Sequence, residues 1–429
     1  MKKIFAVVVA AVVLVGCGGT GASGAGGGAG GTGGGVGAGG GAGGTGGGAG
    51  GTGGGAGGTG GGAGGTGGGA GGTGGGGVGT GGGSGGGAPT GTPYVYVGSG
   101  NGLVSIYTLN LATGALADAG FVNAGPNPSF LAVDPQKRNL YAVNEGGGGN
   151  SAIAAFKLNP ANGQLTFVNS QPSQGNGPAH VSVDQTGRWV MAANYGGGTV
   201  AIFPARPDGG IGAPSDTDAT GPNAHLILTD PSNKYVVVPT LGNDRVVQYL
   251  FDSDAGTLTN NAVPFMATDA GAGPRHLAFH PSGKFAYLIN EKSSTLQALA
   301  FDGTTGRLTS LQQLSTLPAG FAGNNTTAEV FVHPNGRFVY GSNRGHDSIV
   351  AFSLNQTTGM MTLVGHTLTG GSTPRSFGID PGGTILLAAN QSSGTVTSFR
   401  IDVDAGTLSS LGQTKNVNSP AYVGVVYLP

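Results

Sequence analysis

His276-Leu-Ala-Phe-His-Pro-Ser-Gly-Lys-Phe-Ala-Tyr-Leu-Ile-Asn-Glu291 holds two short apolar runs joined by His-Pro-Ser-Gly. Pro and Gly at those places are turn chemistry, and each run is too short and too apolar for an amphipathic helix. The stretch therefore reads as two antiparallel strands. The same pattern returns along the chain. Phe130-Leu-Ala-Val-Asp-Pro135 precedes Leu140-Tyr-Ala-Val-Asn-Glu145, and His180-Val-Ser-Val-Asp184 precedes Trp189-Val-Met-Ala-Ala-Asn194. His225-Leu-Ile-Leu-Thr-Asp-Pro231 precedes Tyr235-Val-Val-Val-Pro-Thr240, and Glu329-Val-Phe-Val-His-Pro334 precedes Phe338-Val-Tyr-Gly-Ser-Asn-Arg344. Phe377-Gly-Ile-Asp-Pro381 precedes Ile385-Leu-Leu-Ala-Ala-Asn-Gln391. The residue opening each turn falls at 134, 184, 230, 280, 333 and 380, a spacing in the range of propeller blades.

Each unit continues with an alternating run such as Ala152-Ile-Ala-Ala-Phe-Lys-Leu158. A turn ending in glycine follows (Gly163, Gly256, Gly306, Gly359, Gly406), then a short closing strand. No segment has a helical period, so the fold is all-β with four-stranded blades. The ends settle the ring. Tyr94-Val-Tyr-Val-Gly98 matches the second strand of a unit, and Pro420-Ala-Tyr-Val-Gly-Val-Val-Tyr427 matches the first. The C-terminal strand can complete the blade that the N-terminal strand begins, which leaves no open sheet edge. A seven-bladed β-propeller over 93–429 is expected.

The chain has 429 residues with 95 glycines, and that average hides two unlike parts. Residues 18–92 carry 50 glycines, no charge and no aromatic, in a Gly-Gly-Ala-Gly-Gly-Thr-Gly repeat. Such a segment cannot offset its backbone entropy by burial, so 17–92 is expected to be a flexible linker with an end-to-end distance on the order of 50 Å. Residues 1–16 read as a signal peptide: Lys2-Lys3, an apolar run from Ile4 to Gly16, then Cys17. Leu14-Val-Gly-Cys17 is similar to the bacterial lipobox, which implies lipidation at Cys17 and anchoring to the cell envelope, with the outer membrane favoured because Gly18 follows. Cys17 is the one cysteine, so no intrachain disulfide can form.

The propeller part carries 16 basic and 19 acidic residues. Near-neutrality gives no electrostatic case for nucleic acid. The membrane enters through lipid at Cys17 alone, and a monomer is expected. With few charges overall, their placement is informative. His180, His225, Arg275-His276, Glu329 and Arg375 stand at the start of inner strands, while Asn144-Glu145, Asn194-Tyr195, Asn290-Glu291, Asn343-Arg344 and Asn390-Gln391 stand where second strands end. Both sets open on one face of a propeller, so one mouth gathers several His, Glu and Arg residues.

Gly273-Pro-Arg-His-Leu-Ala-Phe-His-Pro281, Leu241-Gly-Asn-Asp-Arg-Val246, Ala193-Asn-Tyr-Gly-Gly-Gly-Thr199, Asn127-Pro-Ser-Phe-Leu131 and Ser342-Asn-Arg-Gly345 resemble the propeller-type lactonase family over about 97–429. The family includes 6-phosphogluconolactonase and, more distantly, the fungal carboxy-muconate lactonizing enzyme. The resemblance implies a catalytic set of His225, Arg275, Glu291 and Arg344, and hydrolysis of a sugar lactone in carbohydrate metabolism. Ala224 stands where the family tends to have proline before the histidine. Lactone hydrolysis needs a base for water and a cation for the oxyanion. Glu291 or His225 could be the base, and Arg275 and Arg344 could hold the anion. His180, His276, Glu329, Asn343 and Arg375 are expected to bind substrate. No Gly-x-Ser-x-Gly elbow and no zinc-type His/Cys spacing occur, so neither a serine nucleophile, a metal nor a cofactor is expected.

A bland reading stands beside each assignment. Arg275 and Glu291 could be a structural ion pair, and Glu145 reads as structural. His280 and His333 sit in the turns of the opposite face and read as structural. Arg245 reads as a salt bridge with Asp244 or a neighbour. The alternative for the whole domain is a non-catalytic envelope propeller that binds a sugar or a protein. A phosphorylated lactone is a cytoplasmic metabolite, whereas this chain looks exported, so an unphosphorylated aldonolactone is the other substrate to consider.

Overall fold

The computed structural model describes residues 89–146 and 151–429. Cys17 and nearly all of the expected linker lie outside the described residues. Among the described residues there is no helix, and 28 strands, numbered in chain order, form seven four-stranded sheets. The first blade holds β1 (Thr92–Ser99), β2 (Leu103–Leu109) and β3 (Leu116–Asn123), with β28 (Pro420–Leu428) as its innermost strand. β4–β7 cover 131–172, β8–β11 cover 178–219, and β12–β15 cover 228–267. β16–β19 cover 274–315, β20–β23 cover 326–368, and β24–β27 cover 374–416. The seven-bladed reading and its closure hold: β28 pairs antiparallel with β1 from Thr92↔Leu428 to Ser99↔Pro420. The first strand starts at Thr92, one residue before the expected domain boundary.

The repeat explains how blades stack. In several blades the second strand opens with an aromatic residue (Tyr94, Trp189, Tyr235, Phe285 and Phe338), and that ring fills the space beside the glycine turn of the next blade. A Cβ added at Gly256 would lie 2.3 Å from Trp189, at Gly306 2.1 Å from Tyr235, and at Gly359 2.4 Å from Phe285. These glycines also have positive φ, so two constraints select the same residue. Tyrosines further along the strand tie the blades by hydrogen bonds. Tyr96, Tyr287 and Tyr340 donate to the carbonyls of Gly163 (2.8 Å), Gly359 (2.9 Å) and Gly406 (3.0 Å). The core lies between blades: Tyr235, Val237 and Leu228 of one face pack with Leu277, Phe279 and Leu288 of the next.

The turns opening on the far face combine local hydrogen bonds with bonds to the neighbouring blade. Asp230 Oδ1 accepts from the amides of Lys234 and Tyr235, both at 2.8 Å. His280 and His333 take the same place in their blades, and each reaches a glycine carbonyl of the next blade (Gly336 and Gly383, both 2.8 Å). They are struts, as the sequence suggested. Arg245 differs from expectation: its guanidinium lies 4.1 Å above the Phe265 ring of its own blade instead of pairing with Asp244, which accepts from the amides of Gly271 and Gly273.

Candidate active site

The site is built by irregularities at the start of the inner strands. β16 (Pro274–Phe279) pairs with β17 (Phe285–Asn290), and the register shifts between Pro274 and His276. In a regular strand neighbouring side chains point to opposite faces. The shift breaks that alternation, so Arg275 and His276 both serve the mouth side of the channel. The same shift occurs between Pro178 and His180 on β8 (Pro178–Val183), and between Pro374 and Ser376 on β24 (Pro374–Ile379).

Two connected clusters result. In the first, Glu291 is clamped by two arginines: Arg344 Nη2 lies 3.0 Å from its Oε2, and Arg275 Nε lies 2.9 Å away without hydrogen-bond alignment. Arg275 is 2% exposed, and its Nη1 donates to Ala328 O at 2.6 Å. Arg344 Nη2 also donates to Thr327 O at 2.8 Å. Burial pushes the Glu291 carboxyl up, but Arg275 and Arg344 outweigh it, and the net shift is downward. Burial and the neighbouring Arg344 lower Arg275, which Glu291 opposes. It stays cationic, since an arginine starts so high.

The second cluster is a histidine row. His225 Nδ1 lies 3.1 Å from His276 Nε2, and His276 Nδ1 lies 2.8 Å from Glu329 Oε1. His180 accepts weakly from the Ile227 amide at 3.4 Å and packs with His276 and Phe130. Burial holds all three imidazoles well below their ordinary range, and Arg275 adds to this by repulsion. Burial pushes Glu329 up to about 8, only partly offset by Arg275. The two clusters are joined electrostatically, since Arg275 acts on both.

The structure therefore brings His225, Arg275, Glu291 and Arg344 to one mouth. Arg375 is there as well, 3.3 Å from Glu145, which also accepts from Asn127. Other expectations change. His276, His180 and Glu329 are buried, as is His225 (6% exposed, against 5% for Glu329), but both ring nitrogens of His276 are taken up by His225 and Glu329, and His180 packs on His276, so these three are engaged with one another and not with substrate. Asn343 is fully buried, and Thr316, Asn325 and Ser348 take up its side chain. It supports the mouth and is not placed to bind substrate. Arg275 and Glu291 are an ion pair, as the bland reading held, yet Arg344 shares the carboxylate at the mouth. Two residues gained importance only from the fold. Tyr195 sets its ring edge-on to His225 at 5.4 Å, and Phe130 lies across the channel against His180, His276 and Tyr422. Phe130 is marked in the sequence by its place, an aromatic where other blades start with a polar residue.

Beside Tyr195 opens a cleft of about 390 Å³ lined by Gly196, Gly197, Gly198, Gly221, Pro222 and Asn223. Gly198 has φ +64, and a Cβ there would lie 2.7 Å from Gly221 O, so backbone forms that wall. The arrangement offers a neutral, nearly buried imidazole (His225, 6% exposed), guanidinium groups around a carboxylate, and adjoining space for a small polar molecule.

The profile described as "Lactonase, 7-bladed beta-propeller" matches residues 94–425. The chain belongs to this lactonase family. It is 36% identical over 301 residues to 6-phosphogluconolactonase of Bacillus subtilis (strain 168), covering 67% of this chain and 85% of that protein. It is 34% identical over 248 residues to 6-phosphogluconolactonase of Pectobacterium carotovorum, covering 58% of this chain and 72% of that protein. The Pseudomonas aeruginosa periplasmic gluconolactonase has the same architecture, with a TM-score of 0.74, 28% identity, and coverage of 79% of this chain and all (100%) of that one. The four residues that the lactonase resemblance assigned lie together at that mouth, with Arg375 beside them.

Proposed function

We propose that this protein hydrolyses a sugar lactone at the mouth formed by His225, Arg275, Glu291 and Arg344. The observation that carries the proposal is the division of labour between the clusters. Glu291 is held ionised by two guanidiniums, which makes it a weak base and a strong anchor. Burial and Arg275 keep His225 unprotonated at neutral pH, so its lone pair is available to water, although the same two effects make it a weaker base than a free imidazole. His225 takes a proton from water as the water oxygen bonds to the lactone carbonyl carbon. The carbonyl oxygen gains the negative charge, and Arg344 and Arg375, the more exposed guanidiniums, oppose it. The ring C–O bond then breaks, and the imidazolium returns its proton to the departing alkoxide. The product is the open hydroxy acid.

The reading includes a role in the cell envelope. The apolar run before Cys17 and the likeness to a periplasmic gluconolactonase point the same way. Pro89 lies beside the Asp380–Gly383 turn, on the face opposite the mouth. Hydrolysis by the full chain should be measured on 6-phosphogluconolactone, gluconolactone and an aromatic lactone, against the spontaneous rate. Acceleration on a sugar lactone that is lost in His225→Gln supports the reading. No acceleration on any of them overturns it and favours a ligand-binding propeller.

A further inference from the structure

His225 is the end of a buried hydrogen-bonded row that runs through His276 to Glu329. We infer that Glu329 and His276 are positioning residues that fix the tautomer of His225, leaving its Nε2 lone pair at the mouth as the base. The inference rests on the reading of His225 as base given above.

The direction of the row follows from one backbone amide. Glu329 Oε1 accepts from the Val330 N–H at 3.1 Å and meets His276 Nδ1 at 2.8 Å. The Val330 amide selects Oε1 as an acceptor in the carboxylate, and as the carbonyl oxygen when the carboxyl is protonated at Oε2, and on that assignment His276 Nδ1 carries the hydrogen. His276 Nε2 then holds a lone pair, and His225 Nδ1, 3.1 Å away, must donate to it. His225 is left with its hydrogen on Nδ1 and a free pair on Nε2. No described residue hydrogen-bonds that nitrogen, and it is not among the fully buried unpaired polar atoms. When Nε2 takes the proton from water, Nδ1–H already points down the row, and the new charge is felt at Glu329 without any proton leaving His225. The opposite direction would place an N–H at the mouth and remove the base. A second-layer donor or acceptor commonly sets the tautomer of a working histidine in this manner.

The row is held rigidly. His276 is 2% and Glu329 5% exposed, and the Glu329 amide donates to Ser342 Oγ at 2.9 Å. Charged and titratable groups facing it are Arg275 on β16, Arg375 on β24, His180 on β8, Glu291 and Arg344 at the mouth, and Tyr195 beside His225. Burial keeps Glu329 largely protonated below about pH 8. Its ionisation above that point strengthens the pull on His225 Nδ1–H, so kcat should rise through this range.

The test uses the full chain with 15N-labelled histidine, of which there are seven, and compares wild type, His225→Gln, His276→Leu and Glu329→Gln. In the wild type, the His225 resonances should report hydrogen on Nδ1. His276→Leu should lower kcat by roughly 10²-fold with little change in KM, and should abolish that single tautomer. Glu329→Gln retains an acceptor oxygen, so it should keep the tautomer but lose the rise of kcat near pH 8. A His225 hydrogen on Nε2 in the wild type overturns the inference. So do kcat within twofold for His276→Leu and an unchanged alkaline limb for Glu329→Gln. If His276→Leu does not fold, the wild-type tautomer and the Glu329→Gln profile decide. If His225→Gln itself keeps full activity, the base assignment has failed, which is a distinct result.

Discussion

Acidifying the solution from about pH 7 to about pH 5.5 should destabilise the propeller, by an amount set mainly by four buried groups. His180, His225 and His276 have folded pKa values well below 6.5. The unfolded chain therefore binds protons that the native state refuses, and stability falls as pH falls through 6.5. Each histidine withdraws about 1.3 kcal/mol over this interval, so the three withdraw about 4 kcal/mol. Glu329 has the opposite sign. Its folded pKa is raised to about 8 from 4.5, so its contribution is fully present below 4.5 and is lost as pH rises through about 8. Acidification over the same interval returns about 2 kcal/mol. The wild type should lose about 2 kcal/mol net, with His280 and His366, also lowered, acting in the histidine direction. The carboxylates with depressed pKa values, Glu291 among them, begin to matter only nearer their own range. Glu329→Gln removes the returning contribution, so its loss should be about 4 kcal/mol. Urea unfolding midpoints of both proteins at the two pH values measure this. A wild type equally stable or more stable at the lower pH would refute the neutral-histidine row, and equal losses in the two proteins would refute the buried protonated Glu329.

Glu291→Gln should abolish most activity and cost about 3–5 kcal/mol of stability, because Arg275 and Arg344 lose their shared anion; thermal unfolding and kcat check it. Gly256→Ala should destabilise by roughly 1–3 kcal/mol, since φ is +68 and the added Cβ meets the Trp189 ring, while KM stays unchanged. Deleting 420–429 should convert the protein to aggregates on size-exclusion chromatography, because β1 loses its partner and the first blade becomes an open edge.

The fold was legible because the same physical constraint recurs in several blades. An aromatic at the start of the second strand demands a glycine in the neighbouring turn, and both letters stand out in the sequence. The far-face turns were legible for a similar reason, as Asp or His before Pro fixes a local hydrogen-bond pattern. The mouth was legible in composition and not in depth. Strand alternation places Arg275 and His276 on opposite faces, and only the register shift after Pro274 sends both to the channel end. For the same reason the order of Glu329, His276 and His225 could not be read. Those residues come from three blades and meet only when the ring closes, so spacing along the chain carries no trace of which lies in front. Asn343 misled because it precedes Arg344 in a motif; its side chain turns inward to Thr316, Asn325 and Ser348.

The two clusters solve a conflict that a single one could not. A strong cationic field is needed to stabilise an oxyanion, but it also lowers the basicity of any imidazole nearby. Arg275 sits at that point of conflict, since it depresses His225 while pairing with Glu291. Placing Glu291 against both Arg275 and Arg344 limits the repulsion that reaches His225, and placing Glu329 at the far end of the row supplies an acceptor on the other side. The base then depends on two carboxyl groups with opposite protonation: Glu291 must stay ionised to restrain the arginines, and Glu329 can remain protonated until the pH approaches about 8. Exchanging either one for glutamine should therefore act on His225 through space, with Glu291→Gln lowering its basicity and Glu329→Gln removing its alkaline gain.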